Sequence, residues 1–439
     1  MANINFNNSK QNSTSRRDES ENNLPYISPT PGEIPIIAND PFTFNSRENP
    51  EELKKEDIET VVECGFNIGV MATPDKFLNK ILSLCPKTGF KMMPANSKLL
   101  DNRYQDFLNS FMHNPYIGGW LFIDEPPVDK FENYDIAYLN VTDYDTKHMA
   151  VINLAVSGKS TISNGMSMEN YLNEVDSSFR PPVWSYDFYP IIIKNQVPVN
   201  RYIPFYCNFQ LFSKKAKETN RPFWAFVLSM EHTLSSGAVY PAPKEEYMRY
   251  EAFTALAYGA QGILYWSYAQ YRDTANATYK SALIDREGNK TEYWYYAQKV
   301  NAEIRKFTKV FLGATLTKYI HVGKLNPQDW ELKPPVSHSN IGPIEGVTSI
   351  DDGAVITFLR NKNSGINSFY RFFIIVNHSP FEDSYIDIKF LSNSTVRELT
   401  NCKKDDFSDA VTMSTSFGQT MVIKPGAYRI FQYHTPFQD

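Results

Sequence analysis

The stretch Gly118-Gly-Trp-Leu-Phe-Ile-Asp-Glu-Pro126 decides how this chain is interpreted. An apolar run of strand length, closed by Asp-Glu-Pro, is typical of a strand buried on both faces. It is the fourth of eight such runs counted from the N-terminus. The runs are Ile34–Ala38, Phe66–Met71, Phe90–Met93, Gly118–Ile123, Met149–Ala155, Pro182–Tyr186, Trp224–Leu228 and Gly262–Trp266.

Helical segments separate these runs. Glu51–Cys64 and Glu245–Tyr258 carry apolar side chains at helical spacing among charged ones. Strands that alternate with helices pair in parallel through βαβ crossovers. Eight such units in roughly 250 residues predict an α/β fold of the (β/α)8 TIM barrel type. A doubly wound open sheet would have fewer strands and a Gly-rich first turn, and none follows the first run.

The pattern changes after about residue 305. The runs Ala354–Phe358, Phe372–Val376, Tyr385–Phe390 and Met421–Ile423 are separated by turn residues and by no convincing helix. This spacing predicts an all-β antiparallel sandwich. We therefore expect a disordered N-terminal tail over residues 1–25, a catalytic barrel over 26–308 and a C-terminal β-sandwich over 309–439.

Composition excludes several classes of function. Lys and Arg number 44 and Asp and Glu 49, so the net charge is 44 − 49 = −5, which argues against nucleic acid or an anionic membrane surface as a partner. No apolar run is long enough to span a membrane. The cysteines, Cys64, Cys85, Cys207 and Cys402, lack metal-binding spacing and are interpreted as buried thiols. No metal or cofactor is expected, and the oligomeric state stays open.

The native compartment also stays open. The first 25 residues are polar and lack the apolar segment of a signal peptide. If a signal peptide has been removed, we expect a secreted, periplasmic or surface-attached protein, and otherwise a cytoplasmic one.

Two glutamates at predicted strand ends are the candidate catalytic pair. The site of a (β/α)8 barrel lies at the carboxyl ends of its strands. Glu125 ends the fourth run and Glu231 follows the seventh. Two carboxylates in such positions are what cleavage of a glycosidic bond requires. We assign Glu125 as general acid/base and Glu231 as nucleophile, with Asp187 as the rival second carboxylate.

Polar and aromatic residues at the other strand ends are the candidate substrate contacts. Trp266, at the end of the eighth run, is the best platform for stacking a sugar ring. The predicted substrate-binding set is Asp124, Asn153, Tyr186, Asp187, Tyr189, His232, Trp266 and Tyr268. No Ser-His-Asp order, phosphate-binding loop or His/Cys metal cluster is present in the sequence. A carbohydrate is therefore the expected partner.

This pattern resembles the clan A glycoside hydrolases, in particular β-galactosidase-like members. The resemblance implies an acid/base on strand 4 and a nucleophile on strand 7, positions that Glu125 and Glu231 match. Arg249–Tyr268 resembles the last helix and strand of those enzymes, and the sandwich resembles their accessory β-domain. The clan usually has Asn before the acid/base, whereas this chain has Asp124. A second charge beside Glu125 would tend to raise one pKa, which suits a general acid.

Other functions remain open at this stage. Chitinase-like barrels place Asp before the strand-4 acid and Tyr-Asp on strand 6, and they use the acetamide of the substrate as nucleophile. Asp124-Glu125 and Tyr186-Asp187 match that arrangement loosely, although the longer acidic signature is missing. A non-catalytic carbohydrate-binding protein on a decayed barrel is an alternative from another class, and a scaffold that acts through its sandwich is a third.

Overall fold

The computed structural model describes residues 26–86, 88–156, 166–325, 339–361, 371–403 and 406–434. The predicted disordered tail, residues 1–25, lies outside the described residues.

Eight parallel strands close into a barrel, which confirms the predicted fold class. The strands follow one another around the barrel in chain order, and the last pairs with the first through Ile263 and Ile36. We number them barrel strands 1 to 8. They are Ile36–Asn39, Ile68–Ala72, Lys91–Ala95, Trp120–Asp124, Ala150–Leu154, Trp184–Tyr186, Phe223–Leu228 and Ile263–Trp266.

Helices fill the connections and pack on the outside of the barrel. The α-helices are Phe44–Glu48, Lys55–Glu63, Asp75–Leu84, Tyr104–Phe111, Phe131–Tyr144, Met168–Phe179, Tyr202–Thr219, Glu245–Ala257, Glu292–Lys306 and Thr308–Phe311. Short 3-10 turns lie at Pro50–Glu52, Ser97–Leu100 and Val128–Lys130.

Side chains on the barrel strands alternate between two cores. Trp224 and Phe226 of strand 7 belong to the core inside the barrel, whereas Ala225 and Val227 belong to the layer between strands and helices. This two-residue period follows from the pleat of a strand. Gly262 makes room for the interior Trp224, because a Cβ at position 262 would lie 2.5 Å from its indole ring. A side chain there would force the tryptophan to move.

A second, smaller sheet is built from the segments that follow barrel strands 6, 7 and 8. Its five antiparallel strands were not predicted from the sequence. Their order in the sheet is Ala277–Tyr279, His232–Leu234, Val239–Tyr240, Ile191–Lys194 and Val197–Asn200. Because these segments leave the carboxyl ends of the strands, the sheet lies on the side of the barrel where sites of this fold form.

Two antiparallel sheets follow the barrel, as the sequence predicts. One contains Ala314–Val322, Ala354–Asn361, Arg371–Asn377, Tyr428–His434, Thr395–Glu398 and Val411–Thr412. The other contains Ser339–Ile341, Ile344–Thr348, Ser384–Phe390 and Gln419–Ile423. Side chains from both sheets, among them Ile375 and Ile386, form a core of their own.

The β-domain packs directly against the barrel. Phe253, on the helix before barrel strand 8, stacks on Tyr428 of the last strand with ring centroids 3.6 Å apart. The Tyr428 hydroxyl also bonds Glu303 on the following helix at 3.1 Å. Stacked aromatic side chains bury large apolar areas, so this contact couples the two parts of the chain.

Candidate active site

The carboxyl ends of barrel strands 4, 5 and 6 meet in one hydrogen-bonded cluster. The Nδ2 atom of Asn153 donates to Oδ1 of Asp124 and to Oδ1 of Asp187, each at 3.0 Å. The Asn153 Oδ1 atom accepts a hydrogen bond from the hydroxyl of Ser185 at 3.0 Å. Three of the predicted site residues, distant in sequence, are therefore in direct contact.

Glu125 sits at a sharp turn beside this cluster. Its N–H donates to the carbonyl oxygen of Asn153 at 2.8 Å, and its φ of 43° lies in the left-handed region. A glutamate in that region is uncommon, and residues held in such conformations concentrate at functional sites. The side chain is half-buried, so a carboxyl group at this position remains accessible.

Glu231 lies farther along the chain than its strand. Glu231 was predicted at the end of strand 7, but barrel strand 7 ends at Leu228. Glu231 therefore lies three residues beyond the end of its strand. Its backbone N–H donates to the carbonyl of Ser281, and its own carbonyl accepts from the N–H of Lys280. The carboxylate forms an ion pair with the Lys280 Nζ at 2.8 Å and keeps 22% of its side chain exposed. Glu231 is therefore a partly exposed carboxylate held by a cation from another segment of the chain.

Aromatic rings form a wall at the ends of strands 6 to 8. Trp266 stacks with Tyr189 at a centroid distance of 5.8 Å and meets His232 edge-on at 4.8 Å. His232 in turn stacks on Tyr240 at 4.3 Å. Tyr271 meets Trp266 edge-on at 5.7 Å. Trp266 keeps part of its surface accessible, which a sugar-stacking platform requires.

The wall and the acidic cluster are neighbours. Burial raises the pKa of Tyr189 well above its usual value, and the negative charges of Asp187, Glu251 and Asp124 raise it further. The Tyr189 hydroxyl is therefore neutral. The aromatic and carboxylate parts of the predicted site lie close enough to interact electrostatically.

His232 is a neutral member of the wall. Burial lowers its pKa, and its Nδ1 lies 3.0 Å from the carbonyl oxygen of Met230. A carbonyl oxygen accepts only, so Nδ1 carries the proton in the neutral ring.

Two predicted substrate contacts do not reach this site. Tyr186 stacks on Phe212 of an outer helix at 3.9 Å and is buried between barrel and helix. The hydroxyl of Tyr268 accepts from Nε1 of Trp294 at 3.1 Å and is likewise buried. Both predictions overlooked the direction of the side chain, since proximity in sequence to a strand end does not decide which side of the barrel a residue faces. We leave both tyrosines out of the site.

Several residues of the site were missed by sequence reasoning. Ser185 lies between two residues that face outward, so strict alternation along strand 6 would have pointed it inward. Asp40 follows strand 1 with a buried carboxyl that accepts a hydrogen bond from Tyr271, and burial raises its pKa. Glu251 accepts from the N–H of Leu228 at 2.7 Å, and burial raises its pKa well above the usual value. Its position on a helix carried no such signal.

Other expectations concern sites away from the mouth. All four cysteines are free and buried, as predicted, and burial raises the pKa of Cys85 to about 12. Within the ranges that the structure describes, no group of three or more His, Cys, Asp or Glu residues is arranged to hold a metal ion. No helix in those ranges combines the length and the apolar character needed to cross a bilayer.

Comparison with known proteins gives a consistent result. A family model for glycoside hydrolase family 42, described as β-galactosidase, matches residues 134–307. This range includes Glu231 and ends before the β-domain. A search of curated protein sequences gave no match.

Solved structures share the fold at low identity. A catalytic mutant of Gan42B, a family 42 β-galactosidase from G. stearothermophilus, has a TM-score of 0.59 and 8% identity over 94% of this chain and 100% of that one. A family 5 glycoside hydrolase from Bacteroides vulgatus has a TM-score of 0.54 and 10% identity over 92% and 90%. A match to the β-galactosidase of Marinomonas ef1, with a TM-score of 0.47 and 9% identity, covers 63% of this chain and only 60% of that one.

The closed barrel and the family match over residues 134–307 support a glycosidase enzyme whose fold is similar to that of clan A glycoside hydrolases. Among the solved structures that share this fold over most of the chain are a family 42 β-galactosidase and a family 5 enzyme. The sequence resemblance to β-galactosidase-like members of this clan is thereby confirmed.

Proposed function

We propose that the protein hydrolyses O-glycosidic bonds of an oligo- or polysaccharide with retention of configuration. Glu125 is the general acid/base and Glu231 the nucleophile. The observation that carries this proposal is the meeting of a carboxylate cluster and an aromatic wall at the carboxyl ends of strands 4 to 8. A sugar ring needs both, one for the reaction and one for stacking.

Each carboxyl group has surroundings that suit its proposed task. The half-buried carboxyl group of Glu125 can donate a proton to the leaving oxygen and afterwards take a proton from water. The ion pair with Lys280 holds the carboxylate of Glu231, which can attack the anomeric carbon. In a retaining enzyme, the two carboxyl groups should stand about 5–5.5 Å apart with substrate bound.

The test is a panel of aryl glycosides and glycans, incubated with wild type, Glu125→Gln and Glu231→Gln. Loss of one acid/base group lowers kcat/KM by about 10²–10⁴-fold on substrates with poor leaving groups. Proton NMR of the first product formed distinguishes retention from inversion. Full activity of either variant would contradict its assignment, and inactivity of wild type on every glycoside would contradict the function.

A second mechanism is favoured by the contact between Asn153 and Asp187. In this alternative, Glu125 protonates the leaving oxygen while the acetamide of the substrate acts as nucleophile, oriented by Asp187. The hydrogen bond from Asn153 places Asp187 beside Asp124, whereas the carboxylate of Glu231 is held by Lys280. This mechanism requires a 2-acetamido sugar.

Two variants separate the mechanisms. Under the first, Glu231→Gln is inactive and Asp187→Asn retains measurable turnover. Under the second, the order is reversed and activity is confined to 2-acetamido glycosides. A non-catalytic binder would instead keep its affinity for sugar in Glu125→Gln and show no turnover as wild type, which calorimetry and the same panel would reveal.

A further inference from the structure

Asn153 on barrel strand 5 contacts three acidic residues at once. Its side-chain Nδ2 donates to Asp124 and to Asp187, and its backbone carbonyl oxygen accepts from the N–H of Glu125. Only 5% of the residue is exposed, so these hydrogen bonds are largely removed from bulk water. Hydrogen bonds to charged groups contribute more than neutral ones, particularly where water is excluded. Asn153 is therefore well placed to fix the geometry of the whole acidic end of the site.

Ser185 determines which way the amide points. A side-chain amide has one accepting oxygen and one nitrogen with two hydrogens. Here the oxygen accepts from the Ser185 hydroxyl, and the nitrogen faces two carboxylate oxygens. The reversed amide would direct its oxygen at both carboxylates. One orientation alone satisfies every one of these partners.

The shared nitrogen also brings two negative charges together. Both Oδ1 atoms lie 3.0 Å from Nδ2 of Asn153, so their separation cannot exceed twice that distance, 6.0 Å. Like charges at this distance repel each other, and one of the pair takes up a proton more readily. Each of these carboxylate oxygens accepts a hydrogen bond from the amide nitrogen, which offsets part of this repulsion. Glu125, Tyr189 and Glu251 are the other titratable groups around this pair.

We propose that Asn153 is a positioning residue for the hydrolysis reaction, oriented by Ser185. It holds the carboxylates of Asp124 and Asp187 in place, and it fixes the backbone turn at Glu125. Both of its amide hydrogens are used within the protein, so its task differs from the substrate contact that the sequence predicts. Its part in the reaction rests on the proposed function, whereas the hydrogen bonds can be tested without turnover.

The first experiment measures kcat and KM against pH for wild type, Asn153→Ala, Ser185→Ala and Ser185→Thr. For Asn153→Ala we expect kcat to fall about 10- to 100-fold, because hydrogen bonds to two charged groups are lost. The acid limb of the kcat/KM profile should also move to higher pH. Ser185→Ala should shift the acid limb in the same direction by a smaller amount. Ser185→Thr, which keeps the hydroxyl, should retain most of the wild-type activity. An equal loss at every pH would overturn the proposal.

The second experiment needs no activity. It compares the Tm of wild type, Asn153→Ala and Asn301→Ala at pH 7 and pH 5. Asn301 is a matched control because it is a buried asparagine whose Nδ2 donates to the neutral carbonyl of Cys64 at 3.0 Å. For Asn153→Ala the loss of Tm should be larger at pH 7 than at pH 5, because repulsion between two like charges that no donor bridges grows with pH.

The two experiments separate the possible failures. If wild type cleaves no glycoside, the proposed function fails, but the Tm comparison still shows whether Asn153 holds the carboxylate pair. Equal Tm losses at both pH values for Asn153→Ala, as expected for Asn301→Ala, would overturn the role of Asn153 while leaving the proposed function intact.

Discussion

The polar network at the barrel mouth and the one between barrel and β-domain are built from different partners. At the mouth, Asn153 donates to two carboxylates that reach the surface. Between the domains, His321 and His378 are 3% and 2% exposed and contact each other through Nδ1 and Nε2 at 2.9 Å. One network contains charges beside solvent, and the other contains neutral groups away from it.

The histidine network fixes its own proton positions. Nδ1 of His378 lies 2.8 Å from the carbonyl oxygen of Asp352, which only accepts, so Nδ1 carries the proton. Its Nε2 must then accept from Nδ1 of His321, whose Nε2 accepts from the hydroxyl of Tyr258 at 3.1 Å. Both rings are neutral in this arrangement. A proton added to Nε2 of either ring would place two hydrogen-bond donors against each other and break that hydrogen bond.

This difference shows that the degree of burial decides whether a polar network contains neutral or charged groups. Burial lowers the pKa of His321 well below its usual value and that of His378 to about 4. A network that functions only while neutral belongs between domains, where no substrate reaches it. Carboxylates, by contrast, suit the mouth of the barrel, where water solvates their charge.

Acid should therefore destabilise the interface first, which is the largest effect expected. Both folded-state pKa values lie below the ordinary value of about 6.5, so the unfolded chain binds more protons. The histidine contribution is fully present above about pH 6.5 and is lost as pH falls towards 4, by up to roughly 3 kcal/mol for His378. Urea unfolding between pH 4 and pH 7.5 measures it.

A variant sharpens this test. His321→Leu should lower the free energy of unfolding at pH 7.5 by about 1–3 kcal/mol, because Tyr258 and His378 lose a partner. It should also flatten the pH dependence. The exposed His434 is the matched control, and His434→Ala should keep the wild-type slope. An unchanged slope in His321→Leu would show that other groups cause the acid sensitivity.

The two faces of the barrel strands should respond differently to loss of tryptophan. Trp266→Leu should raise KM about 3- to 10-fold with a smaller change in kcat, because an aromatic contact to the sugar is lost. Trp184→Phe is the control, since Trp184 faces outward and donates to Thr219 at 2.9 Å. It should lower Tm and leave KM unchanged. Steady-state kinetics on one good substrate measures these values. Equal KM values for Trp266→Leu and wild type would contradict the role of Trp266 in stacking the sugar.

The smallest effect is expected at the ion pair of Glu231. Lys280 is 63% exposed, so its removal should change stability by about 1 kcal/mol at most. Lys280→Met should nevertheless lower kcat/KM by about 2- to 5-fold if the pair orients a nucleophile. Lys55→Met, which removes the exposed pair with Glu59 on a helix, is the control without an effect on kcat/KM. Identical kcat/KM values for Lys280→Met and Lys55→Met would show that Lys280 has no role in the reaction.

Barrel and β-domain were predictable because their signals are local. Apolar runs of strand length mark the barrel strands, and each observed strand overlaps the run that predicts it. Asp124 and Asp187 were found because they directly follow such runs, and Asn153 because it lies near the end of one, but the contact among the three was not predicted. Tyr186 and Tyr268 were misassigned, since the side of the barrel that a residue faces depends on register and twist. The five-stranded sheet joins segments from three connections, so no local pattern reports it.

The amino-acid sequence by itself determined the number of barrel strands, their parallel order and the acidic residues at their ends. Hydrophobic period and strand-end chemistry are properties of neighbouring residues, so they are legible without coordinates. Tertiary structure decided that Asn153 would join two carboxylates, that Lys280 would hold Glu231, and that two histidines would meet between domains. These are contacts between segments distant along the chain, and only closure of the barrel and folding of the β-domain bring them within hydrogen-bonding distance.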